Sequence, residues 1–161
     1  MSEDFDIRPA RLEDLADMQR ITKAEFPAVS SIDARIEKMV GGVPWHIIKN
    51  DRVRRELEAC PEACAVVESE GEVIGYVTNV IEPLAQRGTI ANLAVTSACQ
   101  GRGIGRALLE WSLAYFRSLG LHQAKIETLE TNEAGLHLYP RLGFREVIRQ
   151  VHFVMPLSPP S

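Results

Sequence analysis

The sequence contains few cysteines and no long apolar run, and both absences narrow the class of protein that it can encode. Its three cysteines, Cys60, Cys64 and Cys99, form neither a Cys-x-x-Cys pair nor an even-numbered framework. We therefore expect reduced thiols and a cytoplasmic location, with Cys99 a small buried apolar residue rather than a reactive thiol. No stretch reaches the roughly 18 apolar residues of a membrane span, and the acidic N-terminus has no apolar signal-peptide core.

The chain also lacks an excess of charge of one sign. Its 161 residues carry a net charge of -4, with 25% charged and 45% hydrophobic residues, which is ordinary for a globular protein. A broad nucleic-acid-binding surface is therefore not expected, although a small basic site for a phosphate ligand remains compatible with this charge. The length fits one domain, which we place at residues 1–157, followed by a flexible tail at 158–161.

Apolar periodicity predicts strands and helices that alternate along the chain. The predicted strands are 5–10, 64–68, 72–81, 89–95, 121–129 and 144–155, with turns at 69–71 and 82–88. The predicted helices run from Leu12 to the stop at Phe26-Pro27, over 30–60 with a break at 40–44, over 103–117 and over 132–142. This order predicts an α/β (α+β) fold, a mixed sheet with helices on its faces.

Glycine is concentrated in the stretch CQGRGIGRALLEW, between a predicted strand and a predicted helix. A helix N-terminus exposes unpaired N–H groups and the positive end of the helix dipole. Gly101, Gly103 and Gly105 would let the backbone before the helix fold into a concave group of N–H donors, a site for phosphate or pyrophosphate. Arg102 and Arg106 would add positive charge at the rim. A glycine-rich turn with no ligand is the alternative interpretation.

Two common phosphate-binding motifs do not fit this stretch. A Walker loop needs Gly-Lys followed by Ser or Thr, and the sequence contains no such tripeptide. A dinucleotide fingerprint needs Gly-x-Gly-x-x-Gly, but the third position falls on Arg106 or Leu108. The pattern that remains is Gln100-x-x-Gly103-x-Gly105, directly after a strand.

That pattern resembles the pyrophosphate loop, (Gln/Arg)-x-x-Gly-x-(Gly/Ala), of the GNAT family of N-acetyltransferases. A second segment, NEAGLHLYPRLGF from Asn132 to Phe144, is similar to the family's Asn-x-x-Ala-x-x-Leu-Tyr-x-Lys-x-Gly-Phe. The strand IANLAV also resembles the family's strand before the loop, so the likeness spans about residues 89–144. The sequence departs from the family at Gly135, where Ala is usual, at Arg141, where Lys is common, and at Ala91, where many members have Glu.

The resemblance implies a mostly antiparallel, twisted mixed sheet with a splay between the strand before the glycine loop and the next strand. It implies acetyl-CoA as co-substrate and no metal. The residues that it places at the cofactor are Leu93, Ala94, Val95, Gln100, Gly101, Arg102, Gly103, Ile104, Gly105, Arg106, Asn132, Tyr139 and Arg141. Asn132 could instead be only the N-cap of its helix, and Arg141 only a solvated helix charge.

The implied reaction is direct attack of a primary amine on the thioester in a ternary complex, the amine belonging to a small molecule, a peptide N-terminus or a lysine. Tyr139 matches the tyrosine that protonates the leaving thiolate. Glu127 lies at the spacing of a general base in one branch of the family. Glu130, His46 and a water chain are alternative routes for that proton.

Residues 27–60 carry no match and are expected to form one wall of the acceptor cleft. A non-catalytic acyl-CoA-binding or sensor domain on the same fold is the alternative function, favoured by the missing Glu at Ala91. A general phosphate-binding domain is a third interpretation. We expect no nucleic-acid or membrane partner, and a homodimer is left open.

Overall fold

The computed structural model describes residues 4–26 and 31–158, and it contains a five-stranded sheet. The strands are β1 (Asp6–Pro9), β2 (Ala65–Ser69), β3 (Glu72–Glu82), β4 (Arg87–Val95) and β5 (Gln123–Ile126). They lie side by side in chain order; β1 to β4 pair antiparallel, and β5 pairs parallel to β4. The predicted mixed, mostly antiparallel sheet is therefore confirmed.

In the described part of the chain, five α-helices cover the sheet and enclose two apolar layers. They are α1 (Leu15–Glu25), α2 (Ile32–Val40), α3 (Trp45–Ala59), α4 (Ile104–Ser118) and α5 (Glu133–Arg141). Met18 of α1 and Leu57 of α3 pack against Tyr76 on one face of the sheet. Leu108 and Phe116 of α4 pack in a second cluster on the other side. No helix in the described part of the chain is long and apolar enough to cross a membrane.

The predicted turns and breaks match the backbone conformation. Glu70 and Gly71 connect β2 to β3 with φ angles of 51° and 80°, as a two-residue hairpin turn with two left-handed residues requires. The predicted break at 40–44 separates α2 from α3, and Gly41 and Gly42 both have positive φ there. The predicted helix stop at Pro27 and the tail beyond residue 158 lie outside the described residues.

A β-bulge interrupts the pairing of β4 with β3. Thr78 pairs with Asn92, whereas the next residue, Asn79, pairs with Ile90, so Ala91 is the extra residue. Because side chains alternate along a strand, one extra residue reverses which face the following side chains occupy. Ile90 accordingly packs in the α4 layer, whereas Ala94 packs in the layer beneath α1 and α3.

The prediction of a long last strand at 144–155 is wrong, and that of a strand over 121–129 is too long. Residues 144–155 have no regular secondary structure, and β5 covers only Gln123–Ile126. A pattern of β-branched residues indicates that the side chains would fit a sheet. A strand also needs a neighbouring strand to pair with its backbone N–H and C=O groups, and the pattern does not show whether one is present. The Phe144 N–H donates to the Tyr139 carbonyl, and the described residues of this segment form no other backbone hydrogen bond.

Candidate functional site

The sheet opens between β4 and β5. The two strands pair only from Arg87–Gln123 to Ile90–Ile126, and β4 then continues to Val95. Leu93, Ala94 and Val95 pair with β3 on one side, and no described strand pairs with them on the other. The backbone N–H and C=O groups of these residues that do not pair with β3 face this gap, in which an extended ligand arm could pair with them. The Val95 carbonyl is an exception, because it accepts from the Gln100 side chain.

The glycine loop lies at the end of this gap, between β4 and α4. Gly101 and Gly103 have φ angles of +80° and +78°, and a Cβ atom built on either would have no neighbour within 4 Å. Gly103 is the N-cap of α4 and has no side chain to cap it, and the helix begins at the buried Ile104. The first N–H groups of α4 are thus left for solvent or an anionic ligand.

The side chains of the loop fasten it to β4 and set its charge. Gln100 donates from Nε2 to the Val95 carbonyl over 3.1 Å. Arg106 forms an exposed ion pair with Glu110 at 2.9 Å, which partly offsets its charge, and Arg102 is half-buried. A Cβ on Gly105 would lie 3.8 Å from Leu93 Cδ2, an ordinary contact. The loop is therefore held by side-chain contacts while its backbone stays open.

Asn132 and Tyr139 lie together beside the start of α5. The Asn132 side chain accepts from the Gly135 N–H at 3.2 Å, which confirms the N-cap role, and donates to Thr128 Oγ1 at 2.8 Å. Burial raises the pKa of Tyr139, against the opposing effect of hydrogen bonds with Thr128 and Asn132. The phenol is therefore protonated at neutral pH and able to donate.

Gly135, where the family usually has Ala, is explained by this crowding. A Cβ at this position would lie 2.6 Å from Asn132 Nδ2 and 2.9 Å from Tyr139 Cε2. An alanine would therefore displace one of two predicted site residues. The absence of a side chain at Gly135 lets Asn132 and Tyr139 approach the same helical turn.

The remaining predicted residues are more exposed. Glu127 follows β5 with 69% of its side chain exposed and pairs with Lys125 at 2.6 Å. Glu130 is also exposed and pairs with Arg149 at 3.4 Å. Arg141 is exposed in the last turn of α5, and the half-buried His46 contacts the edge of Trp45. None of the described residues forms a group of three or more His, Cys, Asp or Glu side chains that could hold a metal ion.

Sequence reasoning missed a carboxylate, Glu56 of α3, that reaches the sheet next to the bulge. Its Oε2 accepts from Thr78 Oγ1 at 2.6 Å and from Asn92 Nδ2 at 2.7 Å. Thr78 and Asn92 are both buried, and desolvation raises the pKa of Glu56 against the opposing effect of these two hydrogen bonds. Burial therefore makes this carboxylate a stronger proton acceptor than an exposed glutamate.

Glu56 also lines a cleft between α3 and β3 with a volume of about 540 Å³. Arg52 and Arg55 contribute to its helical wall, and Val80 and Ile81 to its strand wall. The second half of the segment predicted to form an acceptor wall therefore does line a cleft. Nearby, Lys49 lies 3.8 Å from the centre of the Phe26 ring, and burial lowers the pKa of this lysine to about 8.

A signal for Glu56 was present in the sequence. Val53 and Leu57 form the buried stripe of α3, and Glu56 lies three residues after the first and directly before the second. At helical spacing this places a carboxylate on or beside the apolar face, where an ionised group is unusual unless it has partners. Its partners, however, are 22 and 36 residues away, so only the fold identifies them.

Comparison with known proteins agrees with this geometry. The sequence model of the Acetyltransferase (GNAT) family matches residues 15–144. The N-alpha-acetyltransferase of Sulfurisphaera tokodaii is 27% identical over 155 residues, covering 89% of this chain and 82% of that protein. The mycothiol acetyltransferase of Tsukamurella paurometabola is 34% identical over 87 residues, covering 53% of this chain but only 30% of that protein. The region that matches this chain thus spans less than a third of the length of that relative.

Among solved structures, the PaiA N-acetyltransferase of Thermoplasma acidophilum in complex with coenzyme A has a TM-score of 0.72. The two chains are 17% identical, and the match covers 88% of this chain and 90% of the other. At this identity the likeness concerns the fold alone. The fold that it supports is the open sheet with flanking helices described above.

Proposed function

Because the chain belongs to the Acetyltransferase (GNAT) family, we propose that it transfers an acetyl group from acetyl-CoA to a primary amine. The observation that carries this proposal is the combination of the β4–β5 gap with an uncapped glycine loop at its end. The gap offers backbone partners for an extended ligand arm, and the loop offers N–H donors for a pyrophosphate. A general phosphate-binding site would need only the loop.

The residues present fit a CoA ester. The open space around Gly101 and Gly103 leaves room for phosphate oxygens against the backbone, and Arg102 adds positive charge in the same loop. Leu93 and Val95 would pair with the pantetheine arm through their backbone. When bound, the thioester supplies an activated acetyl group, and holding an amine beside it replaces a bimolecular encounter with a unimolecular step.

We assign the proton donor to Tyr139. Its raised pKa keeps the phenol protonated at neutral pH, and Thr128 and Asn132 orient the hydroxyl. A donor held in this way can deliver a proton to the departing thiolate sulfur. Backbone N–H groups of the free β4 edge would polarise the thioester carbonyl, as donors directed at a developing negative charge do.

The general base that deprotonates the ammonium of the acceptor has two candidates. Glu127 is the residue that the sequence favours, and its exposure after β5 leaves the carboxylate accessible. Glu56 is favoured by its place in the cleft wall and by its burial, which raises the pKa of the carboxyl and makes it a stronger base than an exposed glutamate. Glu56 also supplies a carboxylate that bonds Asn92, the residue after Ala91, where many members of the family have Glu.

For the acceptor we favour the α-amino group of a polypeptide. The match to the Sulfurisphaera tokodaii protein, which is named an N-alpha-acetyltransferase, covers 82% of that protein. The match to the mycothiol acetyltransferase covers only 30% of that enzyme. A small amine and a lysine side chain are the other acceptor classes to compare.

The first test is a thermal melt of the purified protein with acetyl-CoA, ATP or NAD. A ligand that binds only the folded protein at a hundred times its Kd adds about 2.7 kcal/mol to the stability. We expect a shift with acetyl-CoA alone; its absence would contradict the proposal. Thiol release is then measured with free N-terminal peptides, N-terminally blocked lysine peptides and small amines, and no release with any of them would favour the non-catalytic acyl-CoA-binding alternative.

Matched glutamine variants separate the two candidate bases. In Glu56→Gln the amide oxygen still accepts from Asn92 and the Thr78 hydroxyl can reorient, so we expect the free energy of unfolding at pH 7 to stay equal or rise. Loss of a general base should lower kcat by about 100-fold or more and remove the acidic limb of the pH–rate profile. Glu127→Gln disrupts only an exposed ion pair, worth less than about 1 kcal/mol. The variant that loses the acidic limb identifies the base, and two unchanged profiles would exclude both residues.

A further inference from the structure

Lys49 of α3 is a half-buried cation that has no anionic partner in the described part of the chain. Its ammonium lies 3.8 Å from the centre of the Phe26 ring, and no described residue forms an ion pair or a hydrogen bond with it. The two carboxylates whose charge reaches it, Asp33 and Glu56, are held by other groups. Asp33 pairs with Arg52 at 2.7 Å, and Glu56 accepts hydrogen bonds from the sheet. Because a lysine is rarely buried without a partner, this ammonium is a candidate for ligand binding.

The ammonium of Lys49 is charged and can be reached by a ligand. Burial lowers the pKa of the amine to about 8, so the head group itself is partly desolvated but keeps its proton at pH 7. Among the described residues that are not exposed, fully enclosed side-chain polar atoms without a partner occur only at Asn50 and Asn79. The Lys49 nitrogen is therefore not sealed in the core, and an anion can approach it.

Lys49 and Glu56 both lie beside the part of β4 that does not pair with β5. Glu56 accepts from Asn92 Nδ2 at 2.7 Å, near the start of this part of the strand. Phe26, which contacts Lys49, packs against the same apolar cluster as Ala94. The two charged groups are therefore on the face of β4 that carries Ala94, next to the gap that we assign to the acetyl-CoA arm.

The separation of Lys49 from Glu56 limits the kind of acceptor that could contact both. Seven residues of an α-helix rise about 10 Å, and an extended chain covers the same length in about three residues. A peptide whose amino group lies at Glu56 would therefore bring one of its first three side chains to Lys49. In a free amino acid only one carbon atom separates the amine from the α-carboxylate, so these two groups cannot span the distance.

We propose that Lys49 selects acceptor peptides with an aspartate or a glutamate among their first three residues, by pairing with that carboxylate. This inference rests on the proposed acetyl transfer to a peptide α-amino group. The carboxylate of the peptide would be the anionic partner that Lys49 lacks among the described residues, and hydrogen bonds between charged groups are stronger than those between neutral ones. Glu56 would attract the ammonium of the same peptide, so charges of both signs recognise the acceptor.

The first test uses pairs of peptides with free N-termini that differ only by Asp or Asn at position 1, 2 or 3. In thiol-release assays at pH 7, we expect a kcat/KM about 10-fold higher for the Asp peptide of at least one pair in the wild type. Lys49→Met should bring this ratio close to one. Lys23→Met, which removes an exposed positive charge from α1, should keep it.

The ratio separates recognition by Lys49 from a merely structural role. Damage to the structure would lower kcat/KM for both peptides of a pair and leave their ratio unchanged. A ratio near one in the wild type, a ratio that Lys49→Met keeps, or a ratio that Lys23→Met loses equally would overturn the proposal.

Peptide binding distinguishes failure of this inference from failure of the proposed function. Isothermal titration calorimetry with the same peptides in the presence of CoA, which carries no acetyl group, measures recognition without catalysis. Binding of the Asp peptide about 10-fold tighter to the wild type than to Lys49→Met, without acetyl transfer to any peptide, would support the role of Lys49 and contradict the proposed function. Acetyl transfer with equal kcat/KM and equal binding for both peptides would support the function and exclude the selection.

Discussion

Replacing Gly103 and Gly105 by alanine, one at a time, applies the same chemical change to two positions of the loop with opposite expected effects. Gly103 has φ +78°, a left-handed conformation that alanine adopts at a cost of about 1–2 kcal/mol, although nothing lies within 4 Å of the added methyl group. Gly105 lies inside the first turn of α4 without positive φ, and its new Cβ would meet Leu93 at an ordinary 3.8 Å. Alanine there should raise stability by about 0.5–1 kcal/mol.

The strain that alanine introduces at position 103 should lower either the free energy of unfolding or the affinity for acetyl-CoA. If the alanine variant keeps the loop conformation without ligand, its free energy of unfolding falls by about 1–2 kcal/mol and its affinity for acetyl-CoA is unchanged. If the free loop relaxes instead, stability is kept and the same energy is lost on binding, a weakening of about 5- to 30-fold. The two losses should together equal the strain, because a thermodynamic cycle links them.

Urea denaturation and isothermal titration calorimetry with acetyl-CoA measure both quantities for the two variants. For Gly105→Ala we expect the stability gain and an affinity close to that of the wild type. A Gly103→Ala protein that matches the wild type in both measurements would refute the role of the left-handed backbone. Equal losses of stability in the two variants would show that steric crowding, rather than φ, limits the loop.

Three further predictions follow from the buried groups. Lys49→Met should stabilise the protein at pH 7, because burial lowers the pKa of Lys49 from 10.5 to about 8. This shift corresponds to at most about 3 kcal/mol. Solvent screening and loss of the contact with the Phe26 ring should make the measured gain smaller. Between pH 8 and 10.5 the lysine is protonated in the unfolded protein but largely deprotonated in the folded one, so the stability of the wild type should rise with pH across that window. Urea titrations at several pH values should show this rise in the wild type and not in the variant. Gly88→Ala places a methyl group inside the Phe116 ring and should lower the free energy of unfolding by about 1–3 kcal/mol. In a double-mutant cycle, the same change made in a Phe116→Leu background should cost less, because the smaller side chain leaves room for the methyl group. Tyr139→Phe should lower kcat by about 100-fold with unchanged acetyl-CoA affinity in calorimetry; an unchanged kcat would reject the proton-donor assignment.

Local chemistry explains which parts of the fold could be predicted. The turn at Glu70 and Gly71 follows from a glycine between two β-branched runs, and α4 follows from its apolar stripe. The left-handed backbone of the glycine loop was predictable in the same way, since Gly101 and Gly103 are the residues that adopt positive φ most readily. The prediction of a strand at 144–155 was wrong. The side-chain pattern of a strand can be read from its own sequence, but its hydrogen-bonding partner lies elsewhere in the chain and cannot.

The one-residue bulge at Ala91 connects the missing glutamate of β4 to the carboxylate that the structure provides. With regular alternation, Asn92 would share the face of Ile90 and point into the apolar layer beneath α4. The bulge turns Asn92 to the opposite face, where it donates to Glu56 of α3 together with Thr78. Without that turn, Glu56 would keep one hydrogen bond in place of two, and the desolvation of its carboxylate would be less well compensated. The bulge, which lies directly after the last residue of β4 that pairs with β5, therefore brings a carboxylate of α3 to the strand. For this reason the sequence of the strand alone cannot exclude a base at this site.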